Sequence, residues 1–109
     1  MKWDPITEPE LMRMVNDSYS TMSSQQKSLW DLIKIQPQKW IQNPWGNEGN
    51  GFWVVAVIGK HIVWYNDIEE GFNISTYSRF GEIEGYFSDQ NELKHVLKRF
   101  LQTLNCPPL

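Results

Sequence analysis

A chain of 109 residues with 40% hydrophobic content holds one core, and two domains do not fit comfortably in that length. The formal charge of −3 excludes general affinity for phosphate backbones, so nucleic acid is not an expected partner. No stretch approaches the roughly 20 apolar residues of a membrane span, so no membrane partner is expected either.

Two helices are expected first. Thr7 caps residues in which Glu8, Pro9 and Glu10 suit a first turn, and Leu11, Met14, Val15, Ser18, Tyr19 and Met22 then recur at helical spacing, ending near Thr21. Ser23 or Ser24 caps a second helix carrying Leu29, Trp30, Leu32 and Ile33, which Pro37 stops. The short connection makes residues 1–36 a helical hairpin. Residues 39–42, bracketed by Pro37 and Pro44, read as an edge strand. Residues 43–51 are a run of turn formers with Trp45 in the middle, read as an irregular loop.

Residues 52–67 are a β-hairpin in outline. Two runs rich in β-branched and aromatic residues flank Gly59-Lys60, the chemistry of a two-residue type II′ loop. That loop pairs Ile58 with His61, Val57 with Ile62, Val55 with Trp64 and Trp53 with Asn66. One face then carries Trp53, Val55, Val57, Ile62 and Trp64, and the other Phe52, Val54, Ala56, Ile58, His61, Val63, Tyr65 and Asp67. Both are apolar enough to be covered. A three-residue connection at Glu69-Glu70-Gly71, with glycine in the left-handed position, places Phe72 and Ile74 on the Trp53 face. A further tight turn at Phe80-Gly81 pairs Arg79 with Glu82 and Tyr77 with Glu84, sending Ile83, Gly85 and Phe87 to that same face. The opposite face turns polar in these later strands, with Asn73, Ser75, Tyr77, Arg79, Glu82, Glu84 and Tyr86.

Residues 88–105 form the last helix, opened by Asp89 and Glu92 at capping-box spacing. Leu93, Val96, Leu97, Phe100, Leu101 and Leu104 make a continuous stripe that packs on the sheet. The expected fold class is α+β: an N-terminal helical hairpin, a four- to five-stranded antiparallel meander over residues 39–87, and a C-terminal amphipathic helix on the sheet, all in one domain.

The chemistry-bearing residues are sparse. Cys106 is the only cysteine and lies in a proline-bounded tail, which suits a reducing compartment and offers no nucleophile beside a base. His61 and His95 fall on separate elements, and no His/Cys spacing resembles a metal ligand set, so neither metal nor cofactor is expected. Residues 1–10 lack the apolar core of a signal peptide, and the expected location is cytoplasmic.

The carboxylates Asp67, Glu69, Glu70, Glu82, Glu84 and Asp89 gather around the later strands and turns. Solvated turns explain most of them. Tyr, Trp and Arg are the residue types that anchor interfaces. The candidate binding set is therefore Trp45, Tyr65, Asp67, Glu69, Glu70, Tyr77, Arg79, Glu84 and Tyr86. The reading it supports is a non-catalytic interaction domain with an acidic, aromatic-rimmed surface for a basic protein partner, of which an immunity-type inhibitor is one form. The same second sheet face would also serve a homodimer. Two alternatives use overlapping residues: a small-ligand or saccharide binder built on the Trp45 loop and the tyrosines, and an acid/base enzyme built on Glu82, Glu84 and His61.

Overall fold

The computed structural model describes residues 4–42 and 51–104. Within them run helix α1 (Glu8–Ser20), helix α2 (Ser24–Ile33), strand β1 (Lys34–Trp40), strand β2 (Phe52–Ile58), strand β3 (His61–Asn66), strand β4 (Gly71–Thr76) and helix α3 (Leu93–Leu104). The four strands form one antiparallel sheet in the order β1-β2-β3-β4. The fold class is α+β, as expected. No helix among the described residues is long and apolar enough to cross a membrane.

Local chemistry sets the helix starts. Thr7 and Glu10 form a reciprocal capping box at α1, and Ser23 and Gln26 form another at α2. Each box satisfies two backbone donors that a helix start leaves open. Helix α2 ends at Ile33, where Lys34 turns extended, and not at Pro37. The proline instead sits in edge strand β1, where a missing N–H breaks no ladder and the register with β2 is irregular between Lys34 and Gln38.

The β2–β3 turn is the expected type II′. Gly59 has φ 59°, and Glu70 is the only described non-glycine residue with positive φ, so Lys60 takes the negative φ that this turn requires. The register starts as expected, with Ile58 opposite His61 and Val57 opposite Ile62, and then slips. A β-bulge at Val55 leaves Ala56 opposite Val63 but Val54 opposite Trp64. An extra residue exchanges the faces of everything beyond it. Val55 and Ala56 therefore both enter the helix-side core, together with Val63 and Tyr65, while Phe52, Val54, Ile62 and Trp64 share the other face. The expected grouping of Trp53 and Val55 with Ile62 and Trp64 is corrected by that bulge.

All three helices pack on one face. Leu11, Val15, Leu29, Trp30, Ile33, Leu93, Val96 and Leu97 meet Val55, Ala56, Val63, Tyr65 and Phe72 there. Phe72 and Ile74 reach the Trp53 side as expected, although the three-residue connection, which would set Ile68 opposite Phe72, gives way to a register with Tyr65 opposite Phe72 and Asn66 opposite Gly71.

The second face is covered by neither α1 nor α2, and it is not open. After β4 the chain crosses it in place of a fifth strand, bridging Glu82 to Ile41 beyond β1 and Glu84 to Thr76 at the end of β4. The Phe80-Gly81 turn does form: the Glu82 amide donates to Arg79 O at 3.0 Å. Ile83, expected on the Trp53 side, closes the opposite core with Trp40, Phe52, Val54, Ile62 and Trp64. Trp64 donates its indole N–H to Ser75 Oγ at 2.9 Å, so the polar residues of β4 serve buried hydrogen bonds.

Candidate functional site: an acidic end

The structure brings two separated segments together at one end of β3. The first is the β3–β4 turn. Asn66, fully buried, accepts the amides of Ile68 and Glu69 on its Oδ1 at 3.0 and 3.2 Å and donates from Nδ2 to Phe87 O at 3.0 Å. An Asx turn of this kind fixes the following residues without a β-ladder. Glu70 takes the left-handed conformation, φ 59°, that the sequence suggests for Gly71.

Gly71 is needed for a different reason. A Cβ there would overlap the Asp89 carbonyl oxygen and stand 2.5 Å from Gln90 Cα. The second segment, residues 88–92, lies directly on it. Buried Asn73 grips this strap on both backbone groups of one residue: the Asp89 amide donates to Asn73 Oδ1 and Asn73 Nδ2 donates to Asp89 O, each at 3.0 Å. The Phe72 amide donates to Asn91 O at 2.9 Å, and Gln90 Nε2 to Glu69 O at 3.0 Å. Because these residues are held along β4, α3 begins at Leu93 and not at the expected Asp89 capping box. One of its free amides is capped from outside, Lys94 N–H donating to Ser18 Oγ of α1 at 3.0 Å.

Glu70 from the turn and Glu92 from the strap therefore face one another, with Glu69 and Asp89 in the same two segments. Between them opens a cleft of about 210 Å³ with Tyr65, Phe72, Leu93 and Met14 as apolar lining and Glu70 and Glu92 at its rim. Tyr65 is 7% exposed, and its phenol is pushed above the ordinary tyrosine range by burial first and by the Glu70 and Asp67 carboxylates second. Among the described residues Glu69, Glu70 and Asp89 pair with no cation, and Glu92 stands 3.7 Å from His95. No group of three described His, Cys, Asp or Glu residues is arranged to hold a metal ion.

Asp67 completes the acidic end, with a structural task as well. Its Oδ2 accepts the Ile6 amide at 2.8 Å, while Trp53 Nε1 donates to Ile6 O at 2.9 Å, so both fasten the lead-in to α1 onto the sheet. Lys39, over the Trp53 ring at 4.9 Å, is held below the ordinary lysine range by burial, which Asp67 partly opposes.

The other expected site residues lie in a different layer. Tyr77 packs edge-on against Trp40 at 5.2 Å, and Tyr86 stands 6.2 Å from Phe52 and 6.1 Å from Trp64, so both roof the second core. Arg79 is exposed, 4.0 Å from Glu82. Glu84 accepts from Ser78 Oγ at 2.6 Å and Thr76 Oγ1 at 3.1 Å. It shares a shallow pocket of about 260 Å³ with His61. Trp45 lies outside the described residues. The face expected to carry Tyr65, Tyr77 and Tyr86 together does not exist: Tyr65 points to the helices and the other two to the opposite layer. A homodimer through the second sheet face loses its surface in the same way, since Phe52, Val54, Ile62 and Trp64 are buried within the chain.

Asp89 and Glu92 were readable from sequence as a helix-opening capping box, and Asp89 also as one more carboxylate in a dense stretch. The signal that could have placed them is Gly71 itself, a strand glycine marking a close backbone approach. No protein-family model, curated protein or solved structure matches this chain.

Proposed function

We propose that the protein is a non-catalytic interaction domain whose acidic end receives a basic protein partner. The observation that carries this reading is the placement of Glu70 from the turn and Glu92 from the strap at the rim of one cleft, their segments, which also carry Glu69 and Asp89, held in place by Asn66, Asn73 and the Gly71 contact. Like charges drawn together repel, and a fold that spends buried hydrogen bonds on keeping them together gains a preformed field for a cation. The cleft, at about 210 Å³, is smaller than the roughly 300–1,000 Å³ of small-molecule sites. It suits one inserted Lys or Arg side chain, its stem along Leu93 and Phe72 and its charge at the Glu70 and Glu92 rim. An immunity-type inhibitor, which occludes the working surface of one partner, is a form of this function suited to a small rigid domain.

The test is kinetic. A partner recovered from native cells by affinity capture is bound to the parent chain and to a Glu69→Lys/Glu70→Lys variant across a salt series. Acidic steering predicts an association rate that falls with salt in the parent, and a rate at least tenfold lower in the variant at low salt. Parental kinetics in the variant, with its fold intact, would overturn the proposal.

A further inference from the structure

The opposite end of β3 and α3 carries the opposite charge and a larger groove. Ile58 at the end of β2, His61 and Ile74 on the sheet, and Arg99, Phe100 and Thr103 on α3 enclose about 370 Å³. Three of these six are half-buried apolar side chains, Arg99 and His61 are exposed, and no carboxylate contributes to the lining. The His61 ring stands edge-on to Phe100 with centroids 6.5 Å apart, setting imidazole and phenyl on one wall. Among the described residues Arg99 has no carboxylate within ion-pair distance. Lys60, in the turn between Ile58 and His61, adds charge at this end, and the neighbouring carboxylate, Glu84, lies in the adjoining pocket and accepts from the hydroxyls of Ser78 and Thr76. The last turn of a helix carries only about half a negative charge, less than these cations supply.

The geometry points to a binding site for a small apolar carboxylate, its alkyl chain lying across Ile58, Ile74 and Phe100 and its carboxylate at Arg99. The volume lies at the small end of ligand sites, which fits a short alkyl chain and not a nucleotide or a folded partner. Charge selects the head group: an ammonium would meet the Arg99 guanidinium, and a neutral alcohol would leave that guanidinium without its ion pair. This site is separate from the acidic end and does not depend on the function proposed for it.

Isothermal titration calorimetry of the whole chain with sodium hexanoate, octanoate and decanoate, and with octanol and octyltrimethylammonium, tests the assignment. Affinity should rise about two- to fourfold for each added methylene while groove surface remains to be covered, from roughly 0.8 kcal/mol per fully buried methylene. Octanoate should bind about tenfold more tightly than octanol, and octyltrimethylammonium more weakly than either. Arg99→Gln, an exposed change, should abolish the preference for octanoate while octanol binds as before, which shows the groove intact. Arg79→Gln should leave octanoate affinity within twofold. Amide NMR shifts should centre on Ile58, Ile74 and Phe100. Equal affinity for octanoate and octanol, no dependence on chain length, shifts centred elsewhere, or no binding at millimolar concentration would each overturn the assignment.

Discussion

Gly71→Ala tests the contact on which the acidic end is built. The added Cβ meets backbone, the Asp89 carbonyl and Gln90 Cα, which cannot rotate away as a side-chain tip could. Residues 89–91 must lift from β4, and five hydrogen bonds are at stake: Asp89 N–H to Asn73, Asn73 to Asp89 O, Phe72 N–H to Asn91 O, Gln90 to Glu69 O and Asn91 Nδ2 to Phe72 O. At about 1 kcal/mol net for each, complete loss costs about 5 kcal/mol and partial relaxation about 3. The alanine returns only about 0.4–1 kcal/mol by restricting the unfolded chain. A net loss of about 2–4.5 kcal/mol is a large share of the 5–15 kcal/mol that holds a domain together. With a urea m-value of about 1.5 kcal/mol/M, the unfolding midpoint should fall by about 1.3 M or more. Tryptophan fluorescence in urea reads it directly. A midpoint within about 0.3 M of the parent would mean that the strap does not rest on Gly71, and the preformed acidic end would go with it.

The neighbouring residue should respond in the other sense: Glu70→Gly relieves a left-handed side chain, φ 59°, and should stabilise by about 0.5–1 kcal/mol in the same assay. A destabilised variant would show that the Glu70 side chain contributes more than its backbone costs. Ser75→Ala removes the acceptor for the fully buried Trp64 indole N–H and should cost about 2 kcal/mol, whereas exposed Ser78→Ala should cost almost nothing. Matching midpoints for the two serine variants would refute the buried bond. Tyr65 has a folded-state pKa raised above its ordinary value near 10, so its contribution to stability is complete below about pH 10 and is lost as pH rises through the folded value. Tyr65→Phe should flatten the decline of stability above pH 10 relative to the parent, and superimposable pH profiles would contradict that assignment.

What the sequence determines by itself is whatever is enforced within a few residues. Thr7 with Glu10, Ser23 with Gln26 and Gly59-Lys60 each close a local hydrogen-bond circuit or a turn, and all three occur where the local pattern puts them. The stripe of α3 likewise finds the sheet, because helical periodicity and apolar burial agree from Leu93 to Leu101. The α+β class follows from these pieces. Tertiary structure alone decided which residues share a face. The Val55 bulge is one extra residue in a strand apolar on both sides, where period-two alternation carries no signal to fix register. It also decided that residues 77–87 cross the second face, since Trp40, Phe52 and Trp64 need a cover that Tyr77, Ile83 and Tyr86 supply better than a fifth strand at the edge. The acidic end was half legible. Glu69 and Glu70 stand together in sequence, but the strap that carries Asp89 and Glu92 reaches their turn only because Asn73, in the middle of β4, satisfies both backbone groups of Asp89, a pairing between residues 16 apart in sequence that no local pattern encodes.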